Sequence, residues 1–260
     1  MNRSSLYLFL PVLFWGLSYI AIKVVLRELT PVEMISARFL LAAPVLLVII
    51  RAKGLPIVPT SMRLKLILAS GVVFLHFWVM AVGMRETSAS NAAWILTTAP
   101  IFVALLSRAY LKERFRLMQW GGLLIACAGV FALVYNGNPV NLGWLHSRGD
   151  LIMLCSCVTW AFYTVGTREI TAEVHPLVAT FWMTAIAGLI FVPWTLLTSG
   201  PGVYWKAAPV TIAALVFLGV FCLAMAFWLW SEGLKRQRAA EVSLYLYFEP
   251  LVTVVGAWVL

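Results

Sequence analysis

Residues 6–26 read LYLFLPVLFWGLSYIAIKVVL, and the only charge in this run is Lys23, near its end. About 20 mostly apolar residues are what an α-helix needs to cross a bilayer. A run this long without strict two-residue alternation excludes a barrel strand. Polar groups are nevertheless present, and they are ordered. Trp15, Ser18, Tyr19, Ile22 and Lys23 fall at i, i+3, i+4, i+7 and i+8, which is one face of a helix. Residues 151–168, LIMLCSCVTWAFYTVGTR, repeat that face with Trp160, Tyr163, Thr164, Thr167 and Arg168. Polar side chains are costly against lipid, so such faces belong to the interior of a bundle or to a water-filled cavity.

The rest of the chain has the same character. Of its 260 residues 63% are hydrophobic and 11% charged, against about 25% charged in a soluble domain, and the mean hydropathy is +0.95. The apolar excess needs lipid as its solvent, which excludes a soluble enzyme, a nucleic-acid module and a disordered tail. Cutting at charges and Pro/Gly punctuation predicts nine spans: Leu6–Leu26, Val32–Ile50, Leu64–Met84, Ala89–Leu111, Leu117–Tyr135, Leu151–Thr167, Leu177–Leu197, Ala207–Trp230 and Ala239–Leu260. The longest connection, residues 136–149, is too short for a domain. Cys127, Cys155, Cys157 and Cys222 all lie in apolar runs without metal-ligand spacing, so they read as small hydrophobes, and no metal or cofactor is expected.

The net charge of +9 follows from topology rather than from a nucleic-acid partner. With alternating spans, every Lys and Arg except Lys23, Arg27, Arg38, Arg85, Arg148 and Lys206 falls on the side of the N-terminus. The positive-inside rule makes that side cytoplasmic.

Sliding the chain on itself pairs Trp15 with Trp160, Lys23 with Arg168 and Pro31 with Pro176 at an offset of 145 residues. At an offset of 150, Gly83 meets Gly233, Ala89 meets Ala239 and Pro100 meets Pro250. The first copy contains five spans. An odd-span unit repeated in tandem enters the membrane from opposite sides, which predicts two inverted repeats. The charges agree: the loop from Arg51 to Lys65 is basic while its counterpart holds only Lys206, and the connection at Arg85 is poor in charge while its counterpart holds Lys235, Arg236 and Arg238. The expected division is residues 1–136, a connection 137–148, and residues 149–260. The second copy stops after its fourth span, so a tenth span, about 25 to 40 residues with its tail, is expected to follow in the natural protein.

The segments FWGLSYIAIK, ARFLLAA, LTTAPIFVALLSRAYLKERFRLMQWGGLLIACAGV and YFEPLVTVVGAWVL resemble the EamA-type members of the drug/metabolite transporter superfamily. The resemblance covers essentially the whole chain. It implies a ten-helix inverted-repeat secondary transporter of the inner membrane, in a family many of whose members export amino acids and other metabolites.

Further candidates for the pathway come from ionisable and polar residues inside spans. His76, with Met80 a turn on and Trp78 nearby, could bind a solute or carry a proton, or sit neutral on a backbone carbonyl. Arg38 could capture a carboxylate or be structural. In the ninth span Glu241, Tyr245 and Glu249 share a face, and the deeper Glu249 is a candidate proton carrier or, with Glu241 merely interfacial, pairs with a cation or polar neighbour. Trp94 and Thr98 lie one turn apart on the fourth span. Trp15 and Trp160 could instead only pack between helices. Pro100 and Pro250 occupy equivalent positions and are candidate hinges. Small residues Gly121, Gly122, Cys127, Ala128 and Gly129 suit the fifth span to close helix packing.

No phosphate-binding loop or hydrolase motif is present. The expected function is therefore gradient-driven transport of a small organic solute such as an amino acid, more in keeping with export than uptake, with proton coupling through Glu249 or His76 as a hypothesis. The alternatives are another solute class (a drug-like cation, or a sugar or nucleotide metabolite), a channel, a membrane-embedded enzyme or a non-transporting scaffold. The substrate's identity, and whether the protein is a monomer or a homodimer, stay open.

Overall fold

The computed structural model describes residues 3–113, 120–122, 124, 125, 128 and 147–259. Among them are eight helices long and apolar enough to cross a membrane. They are α1 (Arg3–Val25), α2 (Pro31–Ala52), α3 (Arg63–Glu86), α4 (Ala89–Tyr110), α5 (Arg148–Ile170), α6 (Pro176–Thr198), α7 (Pro209–Arg236) and α8 (Ala239–Val259). All but six residues of the predicted fifth span, Leu117–Tyr135, lie outside the described residues, as does most of the connection 137–148, so α5 is the predicted sixth span. α7 runs past the expected Trp230 to Arg236, its last turn tied by the Arg236–Glu232 ion pair at 3.4 Å.

The caps follow from sequence. Thr30 and Glu33 form a capping box ahead of Pro31, and Ser147 and Asp150 form another at the start of α5. Asp150 also accepts hydrogen bonds from the side chains of Thr87 and Asn91, which clasps the turn between α3 and α4 to the beginning of α5. Leu40, Val48, Ile67, Leu189 and Leu197 face outward as an apolar belt, while a core runs continuously through the bundle.

The pairings run between the halves of the chain. α1 packs along α7, α3 along α5, and α2 against α6, where the Ser36 hydroxyl donates to Phe191 O and bonds Thr195 at 2.5 Å. Exchanging the halves leaves this set of pairings unchanged. The two equivalent loops sit at opposite ends of the bundle. The Trp182 indole, near the start of α6, donates to Ile57 O beyond the end of α2. At the other end the Tyr204 hydroxyl donates to Glu33 O near the start of α2, and Ala208 N donates to Glu28. Burial pushes the Tyr204 phenol up to about 12, so it remains a donor at any physiological pH.

Three helices depart from regular α geometry. α4 breaks between Ala89–Leu96 and Ala99–Tyr110, where the Thr97 and Thr98 hydroxyls take the carbonyls of Trp94 and Ile95. α8 passes through a 3₁₀ segment, Leu244–Phe248, before restarting at Glu249. Pro100 and Pro250 each stand second in the restarted half, where a missing N–H costs nothing. α7 is π-wound over Phe217–Met225.

Candidate functional site

Trp15, His76, Trp160 and Glu249 each lie close to the midpoint of their span. Together with Ser18, Tyr19, Arg38, Phe77, Met80, Leu96 and Phe227 they line a cavity of about 30 Å³. That is room for about two water molecules, and the side chains that line it are buried. Seven helices contribute to it: α1 with α7, and α3 with α5, joined by α2, α4 and α8.

The centre is aromatic. Trp15 and Trp160, equivalent in the duplication, meet edge to face with ring centroids 5.0 Å apart. Phe77 and Phe227, also equivalent, lie 5.6 Å apart. Trp230 packs on Trp15 at 5.1 Å. Such contacts hold rings in fixed orientation and exclude water.

Against this wall stand two ionisable groups that do not meet each other. Arg38 is 2% exposed, and its guanidinium lies 4.7 Å from the centre of the Phe77 ring, a cation–π contact. Its Nε and Nη1 have no hydrogen-bond partner among the described residues. Glu249 is 1% exposed; its Oε2 accepts from the Tyr19 hydroxyl at 2.9 Å, and its Oε1 is without a partner among the described residues. Neither group is in an ion pair among the described residues, where the pairs are Lys65–Glu169 and Arg236–Glu232. Charged side chains buried in lipid are rare and normally paired. Here one donor group and one acceptor group are held ready.

His76 completes the wall. Its Nδ1 lies 3.0 Å from Thr159 Oγ1, whose own proton goes to Ser156 O at 2.9 Å. With the Thr159 proton so committed, the tautomer protonated on Nδ1 would leave Nε2 as the ring's acceptor. The ring also packs, tilted, against Trp160 at 5.3 Å.

Of the residues proposed from sequence, Trp15, Ser18, Tyr19, Arg38, His76, Met80, Trp160 and Glu249 gather at this cavity. Tyr163 is buried beside it, with its ring 5.1 Å from Trp160 and 5.2 Å from Phe227. Thr164 is buried away from the lining, and Trp94, Thr98 and Tyr245 are half-buried on α4 and α8. Trp78 turns the other way, onto Trp194 at 5.0 Å. Sequence reasoning missed Phe77, Leu96 and Phe227 because it searched for polar groups. The duplication itself pairs Phe77 with Phe227 and could have found both.

Comparison with known proteins adds family and fold. A sequence model of the EamA-like transporter family matches residues 2–135 and again residues 147–260. A protein of Archaeoglobus fulgidus described as an uncharacterized transporter is 28% identical over 260 residues, covering 99% of this chain and 89% of its own. The Bacillus subtilis uncharacterized transporter YyaM is 27% identical, covering 94% and 81%, and YcxC of the same species is 29% identical, again covering 94% and 81%. One solved crystal structure superposes with a TM-score of 0.77 at 19% identity, over 100% of this chain and 88% of that one, which shows a shared fold.

Proposed function

The chain belongs to the EamA-like transporter family, and on that premise we propose that this multi-pass membrane transporter is a secondary active exporter of small zwitterionic solutes such as amino acids. The observation that carries the reading is the pair of buried groups, Arg38 and Glu249, that have no ion-pair partner among the described residues and line one small cavity near the span midpoints. A carboxylate satisfies the guanidinium and an ammonium group satisfies Glu249 Oε1. A lipophilic cation would meet Arg38 and a phosphorylated anion would meet Glu249, each at the cost of burying a like charge. The aromatic wall suits an apolar or aromatic side chain.

The transport cycle is alternating access. The two halves, residues 1–136 and 149–260, are inverted repeats that rock about the midplane cavity, with the interruptions before Pro100 and Pro250 as hinges. The N-terminus is cytoplasmic in the inner membrane by the distribution of Lys and Arg. A proton bound at Glu249 or His76 couples the step to the gradient.

Reconstituted protein loaded with radiolabelled amino acids should release them against a concentration gradient when an inward proton gradient is imposed. Glu249→Gln should abolish the driven component. If Glu249→Gln and His76→Ala proteins both retain pH-driven flux, proton coupling fails, and if no zwitterion moves or stabilises the protein, the substrate assignment fails.

A further inference from the structure

The two central tryptophans are equivalent in sequence but not in bonding. The Trp15 indole N–H donates to Cys222 O at 2.9 Å, fully buried. Cys222 stands within the π-wound stretch of α7, and its thiol donates back to Phe14 O at 3.3 Å, so α1 and α7 are stitched in both directions. A π-turn widens the helix and commonly marks a functional site. Trp160 Nε1, by contrast, is buried without an acceptor among the described residues. The residue equivalent to Cys222 is Val72 in α3, and α3 is an uninterrupted α-helix whose carbonyls are taken by its own N–H groups. α3 packs on α5 as α7 packs on α1.

We propose that Trp15 and Trp160 form an exchange latch: in the present conformation Trp15 is tied to the distorted α7 and Trp160 has no acceptor among the described residues, and in the conformation with the halves exchanged Trp160 ties to α3 at Val72 while Trp15 is released. This rests on the reading of the halves as alternating inverted repeats, in which the second conformation is the first with the halves exchanged. Each conformation then has one bonded and one free indole, so passing between them does not change the number of buried hydrogen bonds. The free indole, Trp160 here, is a donor that the cavity offers to the solute.

The test deletes each N–H while keeping a ring. Spin labels are introduced through noncanonical amino acids, leaving the native cysteines in place, at Lys53 and Glu173 toward one end of the bundle and at Arg85 and Trp205 toward the other. Distance distributions are then measured in nanodiscs. Trp15→Phe should deplete the present conformation about fivefold, the worth of one net hydrogen bond. Trp160→Phe should enrich it by a similar factor, and the double variant should return to the wild-type ratio. Incorporation of benzothienylalanine, which keeps the bicyclic shape and lacks the N–H, should reproduce each shift if the phenylalanine variants prove unstable. Shifts in the same direction, or none, overturn the latch while leaving alternating access intact. A single distance at both ends in the wild type, unchanged by solute or pH, overturns the transport cycle and the latch with it.

Discussion

At the scale of the residue, Arg38 is a buried cation with no ion-pair partner among the described residues. Burying an ion without a partner costs several kcal/mol, and the cation–π contact with Phe77 returns part of that. Such a group is kept for what binds it. Arg38→Met should therefore raise the melting temperature, by about 2–4 °C for each kcal/mol relieved. It should also abolish the stabilisation that a zwitterionic solute gives the wild type. Thermal melts with and without solute measure both effects. A variant that is stabilised and still responds to solute would show that Arg38 is structural. Arg38, Glu249, His76 and the Trp15 face were legible in the sequence because an ionisable or polar group inside a span has few places to go. Phe77, Leu96 and Phe227 were not, since apolar residues are welcome everywhere in a bilayer.

At the scale of the element, the closeness of α1 and α8 is set by glycine. A Cβ on Gly16 would lie 2.6 Å from Val252 Cβ and 3.0 Å from Glu249 O, and one on Gly256 would lie 2.8 Å from Leu17 Cδ2. This contact is what brings Tyr19 within reach of Glu249. Gly16→Val should force the helices apart, destabilise the protein by about 1–3 kcal/mol and lower flux by breaking that hydrogen bond. Gly166 in α5 has nothing within 4 Å of the corresponding position. Gly166→Ala should be neutral or stabilise by up to about 1 kcal/mol through helix propensity. Chemical or thermal melts of the two variants side by side check the contrast. Most helix limits were readable from run length and punctuation, although α7 runs past its expected end, and Pro100 and Pro250 stand where α4 and α8 restart. The π-winding of α7 was not, because residues 217–225, FLGVFCLAM, are as apolar as any regular span, and the partner that bonds a carbonyl within it, Trp15, is distant in the chain.

At the scale of the molecule, the loops of like position in the two halves lie at opposite ends. Single cysteines at Lys53 and Lys206, tested in a background without native cysteines, should react with a membrane-impermeant maleimide from opposite sides, Lys53→Cys from the cytoplasm. Labelling of both from one side would end the inverted-repeat reading. Parity of spans and the swapped charges carried that expectation from sequence alone. The small size of the cavity lay beyond it, since no pattern in a sequence states how closely two helices approach.

The cross-pairing of α1 with α7, α3 with α5 and α2 with α6 also has a consequence for biogenesis. The helices of the first half have their principal mates in the second, so the earliest segments to leave the ribosome must wait, with their inward stripes uncovered, until the later ones are synthesised. Long-range contacts of this kind form late and slowly. A first half synthesised alone would leave those stripes without their principal mates.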